Sequence, residues 1–430
     1  MGFVMSYKAI VAKIHTRPLI GADNLLIGTC GSYQVVVGKD TIDGQLGVFF
    51  ESDGQLSEEF AQQNDLVRRK SDDGSCAGGM FEVNRRVKSI KLRGARSEGF
   101  WCPIDKFDYT SVDKFVFVEG FQFDELNGHK ICGKYFTPAT VRTGVKTKRQ
   151  RDNVMFHKHI DTGMFRREYG SIPFGAMLYV SEKLHGTSQR YGHVLDNEPI
   201  SRWWCPDFVA SLLGLPLSRK VWKHVVGTRN VILEHKKGET FYGDEKFRYD
   251  VVEAIKLHKG EVVYGEVVGY ANEHTPIMAT QDLSSLKDKR VKNTFGDKVV
   301  YSYGCLPGQC KFYVYRITQV NEDGYAVELS WNQVVKRSKE IGLETVPLLS
   351  VLEFTEDDVD YVKDIVSTLT ENEDFPHSSV IDPDVIREGV VVRWESEHGI
   401  GWLKNKSFVF GVLEGYLKEN EDYVDAEESA

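Results

Sequence analysis

The stretch Ser181-Glu182-Lys183-Leu184-His185-Gly186-Thr187-Ser188 is the most informative part of this sequence. It follows an apolar run, residues 176–181, that predicts a strand, and Gly186 predicts a turn directly after it. A lysine between a strand end and a glycine turn lies at the mouth of a cleft rather than on an open surface. Taken alone the KxxG pattern is weak, because most lysines before a turn are simply solvated.

Further short motifs follow Lys183 in a definite order. They are an arginine, a glycine–glutamate pair, an aromatic strand, a glutamate that enters a strand, and a KxK pair: Arg229-Asn230, Tyr264-Gly265-Glu266, residues 312–317, Glu388-Gly389-Val390 and Leu403-Lys404-Asn405-Lys406. Side chains repeat every two residues along a strand, so Lys404 and Lys406 share one side. The sequence has no P-loop and no GxGxxG fingerprint, so a nucleotide would be bound in another way.

This ordered set resembles the covalent nucleotidyltransferase superfamily, which comprises ATP-dependent DNA and RNA ligases and GTP-dependent RNA capping enzymes. The wording of residues 182–187, with His185 where DNA ligases usually have aspartate, is similar to the T4 RNA ligase 2-like ATP-dependent RNA ligases. The motifs span Lys183 to Lys406, about half of the chain. The resemblance implies an ATP-grasp-like nucleotidyltransferase domain of antiparallel sheets flanked by helices.

The resemblance also implies a role for each motif. Lys183 is the nucleophile that takes AMP from ATP, and Glu388 and Glu266 hold Mg²⁺ or Mn²⁺. His185 acts during strand sealing, Tyr315 stacks on the adenine, and Glu266 also contacts the ribose. The implied catalytic residues are Lys183, Glu388, Lys404, Lys406 and His185, and the implied nucleotide-binding residues are Glu182, Lys183, Arg229, Glu266, Tyr315, Lys404 and Lys406.

The chemistry requires a free amine at Lys183. An ordinary lysine is almost fully protonated at neutral pH, and nearby cations disfavour the charged form. Lys404 and Lys406 supply such cations, and they also neutralise the α-phosphate in the transition state. A divalent cation adds to both effects, and Mg²⁺ needs only one or two carboxylates.

Two parts of the motif set depart from the family pattern. The arginine lies 46 residues after Lys183, a longer gap than usual, and Arg202 competes with Arg229 for the phosphate-contacting role. The extra stretch, residues 191–226, contains Trp203, Trp204 and Trp222, and it is interpreted as an insertion that packs on the domain, with RNA stacking as the alternative. Arg316 stands where relatives often carry aspartate.

The pattern of the N-terminal part predicts a small antiparallel barrel or sandwich rather than helices. Short apolar runs alternate with glycine turns, as at residues 7–14, 34–37, 45–50 and 86–92. Residues 86–94, followed by Ser97-Glu98-Gly99, resemble the OB-fold module at the N-terminus of the Deinococcus and Naegleria type of RNA ligase. Taken alone, the cations of residues 85–96 are typical of a solvated strand, and a barrel edge that touches phosphates is the alternative.

These observations predict an α+β protein with four segments. They are an OB-fold-like β-barrel domain (1–105), a basic linker (106–167), the nucleotidyltransferase domain (168–416) and an acidic, disordered tail (417–430). Apolar residues at three- and four-residue spacing predict helices at residues 207–213, 332–341 and 356–369. Only 24 residues follow Lys406, too few for the OB domain that DNA ligases and capping enzymes carry there.

The composition limits how this protein could bind nucleic acids or membranes. Hydrophobic residues are 41% of the 430-residue chain and charged residues 27%, which is typical of globular proteins. The net charge of −9 excludes nucleic-acid binding by bulk charge, so phosphate contacts must come from local basic runs such as residues 85–96 and 142–151. Seven scattered cysteines without a CxxC predict a reducing, cytoplasmic location, and the sequence has no apolar stretch long enough to predict a membrane partner. We also expect a monomer.

The predicted function is ATP-dependent RNA ligation in RNA repair. A lysyl-AMP and an adenylylated RNA are the expected intermediates, and the partners are the 3′-hydroxyl and 5′-phosphate ends of nicked or broken RNA. The alternatives are a DNA ligase or an RNA guanylyltransferase of the same superfamily, and a non-catalytic OB-type nucleic-acid-binding protein. Joint retention of Lys183, Glu266, Glu388, Lys404 and Lys406 argues against the last of these.

Overall fold

The computed structural model describes most of the chain. The described residues are 7–52, 54–70, 76–93, 95–135, 152–160, 162–200, 216–233, 245–284, 286, 288–372 and 375–413. The chain divides into two compact units, Met1–Val145 with Gly411–Ala430 and Lys146–Phe410. The predicted helix at residues 207–213, the cations of residues 142–151, Arg202 and the predicted acidic tail lie outside the described residues.

The N-terminal unit is mostly sheet. Its strands are β1 (Ala9–Pro18), β2 (Leu25–Cys30), β3 (Tyr33–Gly38), β4 (Gln45–Glu51), β5 (Gly54–Leu56), β6 (Arg68–Lys70), β7 (Cys76–Gly78), β8 (Ile90–Leu92), β9 (Ala95–Ser97), β10 (Gly99–Pro103), β11 (Gln122–Phe123), β12 (Glu125–Leu126), β13 (His129–Lys130) and β14 (Cys132–Lys134). Residues 7–135 of this unit also contain one helix, α1 (Glu58–Gln63), and two short 3₁₀ helices, Ile104–Thr110 and Lys114–Val116.

A six-stranded antiparallel sheet organises this unit. Its order is β10-β4-β1-β2-β3, with β11 also paired to β1. The predicted strands at residues 7–14, 34–37 and 45–50 are present as β1, β3 and β4. The run at residues 86–92 is a strand only in β8, and Arg85 before it adopts a left-handed conformation with φ +54°.

Residues 106–132 fold against this sheet, although they lie in the range predicted as a basic linker (106–167). Phe107, Phe117, Phe123 and Ile131 are buried in one core with residues of β1 and β4. The basic run that suggested a linker lies further along the chain, at residues 142–151, whereas the aromatic residues of this part bury apolar area. The described part of the linker range therefore includes elements of the N-terminal unit.

The second unit contains the predicted motifs. Its strands are β15 (Gly163–Met164), β16 (Ala176–Lys183), β17 (Thr187–Pro199), β18 (Ser218–Thr228), β19 (Glu261–Asn272), β20 (Thr275–Pro276), β21 (Gln281–Asp282), β22 (Lys298–Val299), β23 (Cys310–Val320), β24 (Ala326–Glu328), β25 (Glu344–Thr345), β26 (Leu348–Phe354), β27 (Glu371–Asn372), β28 (Phe375–Pro376), β29 (Gly389–Ser396) and β30 (Gly399–Lys406). The remaining helices are α2 (Phe165–Glu168), α3 (Lys246–Asp250), α4 (Lys289–Phe295), α5 (Trp331–Glu340), α6 (Val359–Thr370) and α7 (Phe408–Leu413), with a 3₁₀ turn at Tyr169–Ser171.

Two sheets carry the motifs. A five-stranded sheet has the order β15-β30-β29-β16-β26, and a seven-stranded sheet is built on β18-β17-β19-β23-β24. All pairs in the five-stranded sheet are antiparallel except β15 with β30. Apolar side chains of β16, β29 and β30 form a core with Val362 and Val366 of α6. One face of this sheet is therefore covered by a helix.

The α+β class predicted from the sequence is confirmed. The predicted helix at residues 332–341 is α5, which begins with a capping box between Ser330 and Gln333. The predicted helix at residues 356–369 is α6, whose Val362, Val366 and Thr370 recur at helical spacing on the buried side. Within the described ranges, no helix has both the length and the apolar character that crossing a membrane requires.

Candidate functional site

The strand β16 separates the side chains of Lys183 and Glu182. Successive side chains of a strand point to opposite faces, and Leu178 and Val180 of β16 face the core beneath α6. Glu182 shares that face, where its Oε2 accepts a hydrogen bond from the backbone N–H of Val380 at 3.0 Å. Lys183 therefore lies on the open face, and Glu182 can reach a nucleotide beside Lys183 only through its backbone.

Strand pairing brings the two ends of the motif set together. Lys183 of β16 is opposite Gly389 of β29, and Gly389 is opposite Lys406 of β30. Gly389 has φ +153°, and a Cβ there would lie 2.1 Å from the carbonyl oxygen of Asn405. The glycine leaves space between the two lysines, and its conformation excludes most other residues.

Glu388 lies between these lysines. Its Oε1 is 2.7 Å from Nζ of Lys183 and 2.9 Å from Nζ of Lys406, and its Oε2 is 3.4 Å from Nδ1 of His185. Burial acts to raise the pKa of Glu388, but the charges of Lys183 and Lys406 outweigh it and hold that pKa well below its usual range. The sequence predicted mutual repulsion among the lysines and did not foresee that one carboxylate would connect them.

Lys404 supplies a further positive charge on the same face of β30. Burial, together with the positive charges of Lys406 and Lys183, lowers the pKa of Lys404 to about 8. Asn405 between them points to the opposite face, where it donates to Thr370 Oγ1 at 2.9 Å. Two lysines thus contact one carboxylate and a third adds its charge on the same face, an arrangement that suits a phosphate ligand.

Glu266 of β19 is the second acid of the site. Burial raises the pKa of Glu266 to about 7; the charge of Glu388 raises it further, while Lys183 opposes both effects. A Cβ on Gly186 would lie 2.9 Å from Cγ of Glu266, so the glycine turn after Lys183 packs directly against this side chain. The two sheets therefore meet at the KxHG turn.

Tyr315 occupies an irregular position in β23. Tyr264 of β19 pairs with Arg316 and Gly265 pairs with Val314, so Tyr315 is the extra residue of a β-bulge. Its hydroxyl lies 3.1 Å from Ser188 Oγ and 3.3 Å from His159 Nδ1. The sequence did not predict these partners, because a bulge shifts the alternation of side chains.

Arg229 follows β18 and is exposed. Its charge lowers the pKa of Lys404, after burial and the two other lysines, and it also acts on Tyr315. The structure therefore brings Arg229 near the lysines and the aromatic strand. Its role in binding a phosphate stays a prediction.

His185 is enclosed by aromatic side chains that the sequence interpretation missed. Its ring centroid is 4.5 Å from that of Tyr301 and 4.7 Å from that of Phe410, both edge to face. Its backbone N–H donates to the hydroxyl of Tyr303 at 2.7 Å. The sequence gives little indication of these contacts, since the only local pattern in this segment is the Tyr303-Gly304 dipeptide, which predicts a turn.

The basic run of residues 85–96 is largely engaged within the N-terminal unit. Lys88 pairs with Glu82 at 2.7 Å, Arg96 with Glu98 at 3.2 Å, and the guanidinium of Arg86 lies 4.6 Å from the ring centre of Tyr135. Intramolecular partners were not visible in the linear charge pattern. These cations offer less charge to an external phosphate than their number suggests.

Comparisons with known proteins agree with the fold and the motifs. A structure of Naegleria gruberi RNA ligase with PPi matches with a TM-score of 0.56 and 17% identity, covering 94% of this chain and 97% of that chain. A variant of that ligase with AMP and Mn matches with a TM-score of 0.55 and 16% identity, covering 94% and 97%. At these identities the likeness shows the fold alone, that of an RNA ligase.

The family follows from the sequence match. The model of the RNA ligase family matches residues 177–408, more than half of the chain, and the chain belongs to that family. The family prediction made from the ordered motifs is therefore confirmed. No curated protein sequence matches the chain at a significant level.

Proposed function

We propose that the chain is an ATP-dependent RNA ligase, which joins RNA 3′-hydroxyl and 5′-phosphate ends in RNA repair. The observation that carries this proposal is the convergence of Lys183 and Lys406 on one oxygen of the buried Glu388, at 2.7 and 2.9 Å. Membership of the RNA ligase family supports the substrate. The Naegleria ligase structures with ATP and Mn support the nucleotide and the metal.

In the proposed reaction Lys183 is the nucleophile. Its Nζ loses a proton and attacks the α-phosphorus of ATP; a P–N bond forms, and the bond to pyrophosphate breaks with its electron pair on the leaving oxygen. An oxygen of the RNA 5′-phosphate then attacks the same phosphorus and releases Lys183. Finally the RNA 3′-hydroxyl attacks the phosphorus of the adenylylated 5′-phosphate and displaces AMP. A phosphodiester bond joins the two RNA ends.

The other site residues would stabilise charge or orient groups. Lys404 and Lys406 lie on the side of Lys183, where they would neutralise the phosphate oxygens in the transition state. Arg229 would contact phosphate, Tyr315 would stack on the adenine and Glu266 would contact the ribose. His185 would act in sealing, since its imidazole faces Glu388.

The site fits a divalent cation held by Glu388 and Glu266. Burial is the main cause of the raised pKa of Glu266, and the charge of Glu388 adds to it, so a divalent cation beside the two carboxylates would favour ionisation of Glu266. Among the described residues no group of three or more His, Cys, Asp or Glu side chains is placed to hold a metal. Two carboxylates with water and phosphate oxygens suffice for Mg²⁺, which when bound would supply positive charge beside the α-phosphate.

The remaining parts of the proposal concern partners and location. The antiparallel N-terminal unit would be an OB-type module that contacts RNA through few phosphates, so RNA affinity should depend only modestly on salt. The protein would act as a monomer on nicked or broken RNA in the cytoplasm. Five cysteines whose side chains the structure describes are not in disulfides: Cys30, Cys102, Cys132, Cys305 and Cys310. Burial raises the pKa of the Cys30 thiol to about 12, as expected for an unreactive structural thiol.

The test is covalent labelling. The protein is incubated with α-labelled ATP and Mg²⁺, and we expect it to acquire a covalent label. Lys183→Ala should abolish this label, whereas the control Lys336→Ala, at an exposed lysine, should retain it. Label transfer to nicked RNA, with ATP preferred over GTP and RNA over DNA, would exclude a capping enzyme and a DNA ligase. Absence of any label on the wild-type protein would overturn the proposal and favour a non-catalytic RNA-binding protein.

A further inference from the structure

The segment Tyr301-Ser302-Tyr303-Gly304-Cys305 lies against the turn that follows Lys183. The hydroxyl of Tyr303 accepts a hydrogen bond from the backbone N–H of His185 at 2.7 Å. The ring of Tyr301 meets the edge of the His185 imidazole. Tyr301 and Tyr303 are each 1% exposed, so both contacts are made in the interior of the unit.

Tyr303 has a backbone conformation that is unusual for a tyrosine. Its φ is +50°, and that of the next residue, Gly304, is +72°. Residues other than glycine, asparagine and aspartate seldom adopt this left-handed region, and such strain concentrates at functional sites. The conformation orients the Tyr303 side chain while the chain reverses at Gly304.

Asp382 holds this turn in place. Its Oδ2 accepts hydrogen bonds from the backbone N–H of Gly304 at 2.8 Å and from Ser302 Oγ at 3.2 Å. Asp382 is six residues before Glu388. The segment thus connects the turn after Lys183 with the loop that leads to Glu388.

We infer that Tyr303 is a positioning residue for nucleotidyl transfer, and that Asp382 supports it. The hydroxyl of Tyr303 fixes the backbone at His185, and this keeps Lys183 and His185 in register with Glu388. The inference rests on the proposed function of Lys183. A displacement of about 1 Å at a reacting group can reduce a rate by about 100-fold, so one hydrogen bond at this turn is enough to matter.

The first test is Tyr303→Phe, which keeps the ring and removes the hydrogen bond. We expect the single-turnover rate of lysyl-AMP formation at saturating ATP to fall about tenfold, while ATP affinity without metal changes less than twofold. The matched control is Tyr191→Phe. It removes a hydrogen bond from another buried tyrosine of the same unit, to the carbonyl of Ile255 at 3.3 Å, and should leave the rate unchanged.

The second test uses Asp382 and stays informative even if Tyr303→Phe does not fold. Asp382→Asn retains a side-chain oxygen that accepts from Gly304, whereas Asp382→Ala does not. We expect Asp382→Ala to lose about tenfold in the same rate and Asp382→Asn to stay within threefold of wild type. If Asp382 had a purely structural role, both variants would melt at a lower temperature, and their rate of lysyl-AMP formation and their ATP affinity would fall together.

The outcomes distinguish the inference from the function on which it rests. If the wild-type protein forms no lysyl adduct, the proposed function fails and the inference falls with it. If the wild type is labelled and Tyr303→Phe is labelled equally fast, only the inference fails. An equal loss in Tyr191→Phe, or a loss of ATP affinity at an unchanged rate, would also overturn it.

Discussion

Two clusters of buried charge in the second unit are built on different principles. The first, the Trp402 cluster, contains Arg316, Glu328, Arg393 and Glu395 around the ring of Trp402. Arg316 Nε lies 3.0 and 2.9 Å from the two oxygens of Glu328, and Arg393 Nε lies 2.7 Å from Glu395. Both guanidinium groups lie about 5 Å from the centre of the Trp402 ring, at 5.5 and 5.3 Å. Each arginine of this cluster is thus paired with one glutamate.

The second, the Glu388 cluster, contains Lys183, Lys404 and Lys406 around Glu388. Lys183 and Lys406 share one oxygen of Glu388, and the pKa of the neighbouring Lys404 is lowered to about 8, first by burial and then by the other two lysines. Arginine forks match carboxylates rigidly, whereas lysine ammonium groups rearrange on flexible stems. We therefore expect the Trp402 cluster to support the fold and the Glu388 cluster to bind an anion.

The largest expected effect comes from exchanging one carboxylate in each cluster. Glu388→Gln should lower the rate of covalent labelling by ATP by about 100-fold or more, because the site loses its proposed metal ligand. Glu328→Gln should leave labelling of the folded protein near wild type but lower the free energy of unfolding by roughly 3 kcal/mol, since Arg316 loses its partner. Denaturant unfolding and labelling time courses would measure the two effects. Slow labelling in Glu328→Gln, with near wild-type labelling in Glu388→Gln, would refute the comparison.

An intermediate effect concerns the stability cost of the site. Burial raises the pKa of Glu266 to about 7, so between its ordinary pKa and pH 7 the folded protein binds a proton that the unfolded chain does not. Stability from this group is present at acid pH and is lost as pH rises through that window. Glu266→Gln should therefore gain up to about 3 kcal/mol over wild type between pH 5 and pH 8, measured by urea unfolding. If the free energy of unfolding of the two proteins changed equally with pH, ionisation of Glu266 would not destabilise the fold.

The smallest effect concerns Lys404. Because its pKa is lowered to about 8, mainly by burial, the free protein loses this positive charge above that pH. ATP affinity measured without divalent metal should fall about fivefold to tenfold between pH 7 and pH 9, and binding should take up a proton at the higher pH. Lys404→Arg should flatten this dependence, since arginine stays charged. An unchanged slope in that variant would remove Lys404 from the phosphate site.

Much of the site was predictable from local patterns. The alternation of β30 placed Lys404 and Lys406 on one side, and the same period of two places Glu182 opposite Lys183, although the sequence interpretation did not use that signal for Glu182. The contacts of Tyr303 with His185 were not predictable, because 118 residues separate the two and no periodicity links them. The bulge at Tyr315 was hidden for a similar reason, since it appears only when β19 and β23 pair.

By itself the sequence determined the α+β class, the strands that carry the lysines and glutamates, and the RNA ligase family. These follow from side-chain periodicity and from an ordered set of short motifs, which are properties of neighbouring residues. Only the tertiary structure decided that Glu388 would lie between Lys183 and Lys406, that most cations of residues 85–96 would be engaged internally, and that Tyr303 would meet His185. Electrostatic and hydrogen-bond energies depend on distances of a few ångströms between residues far apart in the chain, and folding alone sets those distances.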